Sequence, residues 1–532
     1  MAKAMSRRLA DGTIRVLVPG KRWLSRRVTS ADEPIYFFTD AINAITVGAA
    51  AARLSRSPGD LRGILLQEFA GRDDQRDALV DRVVASYGDD SVMQLVPLQF
   101  ATERVSNLMT KVIERSRLMG YLEQSTRYIP FDQKDENGRW LYYTPTNLTG
   151  ELRERYEMIM DQIFELYSEI VHGLIEYVRA AEPLQDESQR QAWLGSTRAK
   201  ACDAARVVLP VATRSSIMVI GNAQTVQNLY IYLRSLGYAE ADEVAEGLLR
   251  QVRKLDGMKP FLRRADAAHR GSAVSRYMAA NRAAMAEEAD RFHLGRAEEG
   301  VEVRLIDYGP RHEHSLVPRM LYEQSDESLE VLVNQAPNRF SAEDCRRIIE
   351  RYCGDRFNRR AKPSRAIEKA WFEWEIVGDY GTFRDLQRHR MLSGIEWQQL
   401  TTRHGYDVPP LVVEAGFEEQ FEQCFALSGE LFDVLVAAGL STEAQYATLL
   451  GHRMRYTFTA NLRELFHMLE LRTQPAGHPG YRAICQRMYE LLAEVYPTFA
   501  AQMLINMDDD PALGRLDAEL IAAARQQELN SG

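Results

Sequence analysis

The spacing of hydrophobic positions changes several times along this chain. From Ile45, the run ITVGAAAARLSRS followed by LRGILLQEFA predicts helix. VMQLVPLQFATERVSNLMTKVIE, residues 92–114, fits either strand or helix. Residues 151–191 open with ELRERYEMIMDQIFELYSEIVHGLIEYVRA, whose apolar positions fall mostly three and four apart. That spacing predicts a long amphipathic helix with one face on a core. Pro210 is expected to mark the end of the helix preceding it. Residues 236–300 read as helical and charged, with Gly271 and Gly295 as candidate breaks. VEVRLIDYG, 301–309, then starts a strand-like run, which places a domain boundary near 295–302.

Beyond that boundary the order recurs: a helical region, a basic motif at 388, a long helix, and TFTANLRELFHMLELR at 457–472. The recurrence predicts a diverged internal duplication. The expected divisions are a leader over 1–44, a first copy with a helical extension over 45–300, and a second copy over 301–532.

At 532 residues, 45% hydrophobic and 27% charged, the chain has the composition of a soluble globular protein with room for two to four domains. No apolar run reaches eighteen residues, so no membrane span is expected. The start, MAKAMSRRLADGTIR, lacks the apolar core of a secretory signal. A net charge of -9 gives nucleic-acid binding no global support, yet a few clustered arginines are enough for a phosphate. The five cysteines, Cys202, Cys345, Cys353, Cys424 and Cys485, are scattered, as in a reduced cytoplasmic protein where thiols fill cores.

Several clusters could carry chemistry. Arg388, His389 and Arg390 form a triplet able to surround a phosphate or diphosphate, although surface basic triplets are common. In EQSTRY, residues 123–128, an extended backbone would bring Glu123, Ser125 and Arg127 to one side as acceptor, hydroxyl and cation; the bland alternative is a polar strand edge. In NLRELFHMLELR, 461–472, Leu462, Leu465, Phe466 and Leu469 form an apolar stripe, and Arg463 and His467 share another face. Asn461 lies near the helix start, and Arg472 lies near its end, where a cation suits the dipole. Packing alone would explain this helix too. GxGxxG, a phosphate loop, HExxH and GxSxG are all missing, so dinucleotide folds, metal sites and serine hydrolases gain no support.

Taken together, these segments resemble the flavin-dependent thymidylate synthases, whose signature can be written RHRxxSxNExSxRY. RSRLMGYLEQSTRY, 115–128, keeps Arg115, Arg117, Glu123, Ser125, Arg127 and Tyr128, but has Ser116, Gly120 and Leu122 for the His, Ser and Asn. RHRMLSGIE, 388–396, keeps Arg388, His389, Arg390, Ser393 and Glu396, has Ile395 for Asn, and loses the tail. AAARLSRS (50–57, with Arg53 and Ser55), AARVVLP (204–210, with Arg206) and the 461–472 helix also resemble family segments in order. Gln445 stands where the first copy has Arg206.

The resemblance implies an α+β fold of two fused domains of the thymidylate synthase complementing type, helix-rich with a small mixed sheet in each. It implies FAD-dependent methylation of dUMP to dTMP, with methylenetetrahydrofolate and NADPH as co-substrates. By position it implies Glu123, Ser125, Arg127 and Arg206 for the nucleotide. It implies Ser55, Arg388, His389, Arg390, Ser393, Asn461, Arg463 and His467 for FAD, and Arg472 to polarise the pyrimidine. Each copy keeps what the other has lost, so a whole site would draw on both. A homodimer would then imitate the family's tetramer. A related flavoenzyme on another pyrimidine nucleotide, or a non-catalytic flavin- or nucleotide-binding or scaffold relative, are the alternatives.

Overall fold

The computed structural model describes residues 5–8, 14–54, 60–70, 91–255, 270–292, 302–508 and 513–531. The fold is helix-rich with small antiparallel sheets. The chain divides into two compact units, neither continuous in sequence.

The first unit comprises residues 1–105, 112–123 and 216–295. It opens with the hairpin β1 (Ser6–Arg8) and β2 (Ile14–Val16). Leu24 and Val28 pack against Leu66, which anchors the leader. The Ala44–Leu54 helix buries Ile45, Ala49 and Ala50 with Phe69 and Val96, as its apolar spacing predicts. Most of 92–114 resolves into strand β3 (Pro97–Ser106) followed by a helix Asn107–Ile113. Strand β4 (Gly120–Glu123) pairs antiparallel with β5 (Arg214–Asn222), from Gly120 opposite Ile220 to Glu123 opposite Ile217. Gly271 does not break a helix. It lies within the helix Arg270–Arg291. Gly295 lies outside the described residues.

The second unit comprises residues 106–111, 124–215 and 296–532. Its sheet joins β6 (Glu302–Gly309), β7 (Trp371–Asp379), β8 (Ser393–Trp397) and β9 (Arg453–Asn461) in the order β6-β7-β9-β8. The sheet is antiparallel throughout rather than mixed, because β7 and β8, which run the same way, each pair with β9 and not with one another. The Gly150–Ala181 helix buries Tyr156, Ile159, Ile163, Phe164, Tyr167 and Ile170, at the three- and four-residue spacing of one face. It packs on the Glu418–Ala437 helix and on Arg190–Ala205.

Lengths recur along the chain. Strands β5 and β9 each have nine residues and lead into eleven-residue helices, Ala223–Leu233 and Leu462–Arg472. Asn222 caps the first helix and Asn461 the second, each through its side-chain oxygen. A 3₁₀ turn precedes each strand, Arg206–Val208 and Gln445–Ala447. In the second unit these turns meet reciprocally. Val211 donates to the Thr448 carbonyl at 2.7 Å, and Leu450 donates to the Leu209 carbonyl at 2.8 Å. This is the exchange expected at a two-fold contact between like elements.

Candidate functional site

The residues from the two ends of the sequence pattern meet in the second unit. The Arg190–Ala205 helix ends two residues after Asp203 and hands the chain to the 3₁₀ turn that carries Arg206. Opposite, Asp379 caps the Tyr380–Leu386 helix by accepting from Thr382 N at 2.8 Å. That helix presents Asp385 one turn before Arg388.

Segment 123–128 is not extended past Glu123, which ends β4 and is buried. From Ser125 the chain turns: Ile129 N donates to the Ser125 carbonyl at 3.3 Å, and Arg127 N to Ser125 Oγ at 3.2 Å. The serine hydroxyl competing for nearby backbone favours a turn over a strand, so alternate residues do not share a face. The turn delivers Arg127 into the interior. Its guanidinium forks onto Asp203, Nε to Oδ1 at 2.8 Å and Nη2 to Oδ2 at 2.9 Å, while Nη1 donates to Tyr481 Oη at 2.9 Å.

Arg206 is buried and less well served. Nη2 reaches Asp385 Oδ2 only at 3.5 Å, and Nε has no hydrogen-bond partner among the described residues. Burial lowers its pKa, and Asp385 and Asp203 oppose that loss of charge. Arg472, at the end of the Leu462–Arg472 helix, donates from Nη2 to the Asp385 carbonyl and from Nε to His389 Nε2 at 3.0 Å. Its Nη1 lies 4.0 Å from Asp385 Oδ1, beyond hydrogen-bond length. Tyr481 lies beneath both Arg127 and Arg472, with ring-centre distances of 5.4 and 5.2 Å.

Burial opposes the charge on Asp203, but Arg127 and Arg515 outweigh it and hold the carboxyl down to about 2. Burial likewise opposes ionisation of Asp385, and Arg206, Arg127, Arg472 and Arg388 hold it well below the carboxylate range. Asp379 goes the other way, because burial dominates and raises its pKa. Four guanidiniums, on Arg127, Arg206, Arg472 and Arg515, thus face three carboxylates, Asp203, Asp385 and, beside Arg206, Asp379, so arginines still outnumber carboxylates. A buried Nε without an acceptor inside such a field is a place for an anion.

His389 is buried with both ring nitrogens engaged. Nε2 accepts from Arg472, so Nδ1 carries the proton and donates to Glu464 at 2.8 Å. Burial, then Arg472 and Lys362, push its pKa well down. His389, Glu464 and the half-buried His467 each place one possible ligand atom within 4.8 Å of the others. Arg472 and Lys362 surround this trio with positive charge, which disfavours a divalent cation there.

Of the remaining expected residues, Asn461 spends its side-chain oxygen on the cap of Glu464 N at 2.9 Å. Arg463 donates to the Pro363 carbonyl at 2.9 Å. Arg388, Arg390 and Ser393 are exposed, with Ser393 opening β8. Ser55 lies outside the described residues, and its neighbour Arg53 pairs with Glu68 at 2.9 Å.

Sequence reasoning missed Asp203, Asp385, Tyr481 and Arg515. The two aspartates had a legible signal, since each precedes a candidate arginine by one helical turn. Arg515 had none. Beside Asp203, Arg515 and His478 opens a cavity of about 520 Å³, which is also lined by Ser196, whose buried Oγ has no hydrogen-bond partner among the described residues.

Residues 39–256 and 304–498 match the thymidylate synthase complementing protein family. The chain belongs to this family. A UPF0159 protein of Chlamydia muridarum is 32% identical over 517 residues, covering 93% of this chain and 96% of its own length. A UPF0159 protein of Thermoplasma acidophilum is 29% identical over 500 residues, covering 89% and 97%. The flavin-dependent thymidylate synthase of Clostridium tetani is 26% identical over 219 residues, covering 40% of this chain and 79% of its own. A crystal structure of a UMP/dUMP methylase from Streptomyces cacaoi bound with 5-Br dUMP aligns with a TM-score of 0.32 at 17% identity, covering 38% of this chain and 95% of that one.

Proposed function

We propose that this thymidylate synthase complementing protein methylates dUMP to dTMP, using FAD, methylenetetrahydrofolate and NADPH, at a site drawn from two diverged copies fused in one chain. The observation that carries the reading is Arg206, a buried guanidinium with an unpartnered Nε beside a network that holds more arginines than carboxylates. A phosphate monoester brings about two negative charges at pH 7, the complement such a network lacks. The family membership and the flavin-dependent relatives support the same chemistry.

The donor set fits a dinucleotide's diphosphate. Arg388, Arg390 and Ser393 are exposed, and Arg463 and His467 are half-buried on the Leu462–Arg472 helix, with the His467 ring centre 5.2 Å from that of His389. We assign the flavin's diphosphate to these residues. Asn461 and His389, whose hydrogen bonds are already used, hold the backbone and Arg472 in place. When bound, the flavin would supply the hydride. With Nε and Nη2 fixed, Arg472 keeps its plane and has Nη1 to donate to a pyrimidine carbonyl as charge develops there. Arg127 and Ser125, in one turn, and Arg206 serve the phosphate in this reading.

One observation favours a second reading, nucleotide or flavin binding without thymidylate synthesis: the fork of Arg127 is already filled by Asp203. The test is direct. Protein incubated with FAD and freed of excess by gel filtration should retain absorbance near 450 nm and form dTMP from dUMP only when methylenetetrahydrofolate and NADPH are both present. Arg206→Gln should keep the flavin and weaken dUMP by roughly 2–3 kcal/mol, the loss of a charged hydrogen-bonding group. Equal dUMP affinity in wild type and Arg206→Gln would refute the phosphate assignment. Retained flavin without turnover would favour the second reading.

A further inference from the structure

We propose that Arg515 is a positioning residue, holding Asp203 so that Arg127 is able to exchange that carboxylate for a nucleotide phosphate. The inference rests on the phosphate reading above. Arg515 lies beyond residue 498, where the family match ends, yet its side chain is buried in the middle of the arginine network. Nη2 donates to Asp203 Oδ2 at 2.6 Å. Nη1 donates to the Arg127 carbonyl and Nε to the Ala476 carbonyl, each at 3.3 Å. Its guanidinium stacks 4.7 Å from the centre of the Tyr128 ring. The Leu516–Ser531 helix that follows packs on Arg190–Ala205, the helix that carries Asp203.

The arrangement has an energetic consequence. Asp203 Oδ2 accepts from two guanidiniums and Oδ1 from one. With Arg127 as its only charged donor, Asp203 would be left buried and unpaired whenever Arg127 turned towards a phosphate, and an uncompensated buried charge is strongly unfavourable. Arg515 removes that obstacle. It keeps Asp203 paired in both arrangements and grips the carbonyl of Arg127 itself, so the backbone stays in place while the side chain exchanges partners. A purely structural Arg515 would tie down the C-terminal helix and leave the discrimination between phosphorylated and unphosphorylated ligands alone.

Calorimetry with dUMP and with deoxyuridine on the FAD-loaded full chain separates these roles. Wild type should bind dUMP more tightly than deoxyuridine; if it does not, the phosphate reading falls and the inference with it. Given that preference, Arg515→Gln should weaken dUMP about tenfold or more and leave deoxyuridine unchanged. Adding Asp203→Asn should restore dUMP to within about threefold of wild type, because no buried carboxylate then needs a partner. The same dUMP-to-deoxyuridine ratio in wild type and Arg515→Gln would overturn the inference and leave the phosphate site standing. Should Arg515→Gln fail to fold, Asp203→Asn alone decides: unchanged or tighter dUMP supports the exchange, and a loss of about tenfold overturns it.

Discussion

A guanidinium is useful at a binding site only if something fixes its plane, and here the fixing groups are themselves titratable. His478 shows how. Its Nδ1 accepts from Gly480 N at 3.1 Å, so the proton sits on Nε2, which points to the Asp203 carbonyl at 3.3 Å. Burial first, and Arg206 next, lower its pKa to about 3. A histidine depressed in the folded state binds its proton more readily in the unfolded chain. The stability it contributes is therefore complete above the unfolded value near 6.5 and is lost as pH falls from there towards 3. Between those limits one such group adds a slope of up to roughly 1.4 kcal/mol per pH unit. His389, His452 and His467 are depressed too and add to the wild-type slope. Urea unfolding of His478→Gln at several pH values between 7 and 4 should show a shallower dependence than wild type. An identical slope would mean that His478 is not neutral in the native protein. None of this was legible from the sequence. The histidine's role depends on Asp203, which lies far from it along the chain.

The elements themselves were more legible than their contents. The apolar stripe of Leu462, Leu465, Phe466 and Leu469 is fully buried, and Asn461 caps that helix, because helical periodicity and capping are local effects. The EQSTRY segment was misread for the same reason in reverse: strand alternation was assumed where Ser125 builds a turn. The recurrent order was visible, whereas the network between recurrent segments was not, since ion pairs across the sequence leave no period. One close approach tests the packing of the longest helix. A Cβ added at Gly173 would lie 1.9 Å from Phe417 Cζ. The helix conformation at Gly173 suits any residue, and alanine is intrinsically the better helix former by about 1 kcal/mol. Even so, Gly173→Ala should destabilise by roughly 1–3 kcal/mol, since the ring must leave a packed site. A melting temperature at or above wild type would show that the Gly173–Phe417 contact is loose.

At the scale of the whole chain the two turn–strand–helix segments are alike in length and unlike in chemistry, and that difference sets a stoichiometry. The 3₁₀ turn before β5 carries Arg206, while the turn before β9 carries Gln445. Gln445 is buried: its Oε1 accepts from Leu400 N at 3.1 Å and its Nε2 donates to the Thr442 carbonyl at 3.3 Å. A carboxamide brings no charge to a phosphate, whereas the guanidinium at Arg206 brings a charge and an unpartnered Nε. Two equal sites per chain would need a guanidinium at both turns. The expectation is therefore one dUMP per chain, and two per homodimer if the chain pairs as the duplication suggests. Calorimetry on the FAD-loaded protein, with the assembly's mass from sedimentation equilibrium, should give a nucleotide-to-chain ratio near one, and Arg206→Gln should empty that one site. A ratio near two, or half-occupancy surviving in Arg206→Gln, would place a second phosphate site where Gln445 stands and refute the division of labour between the halves.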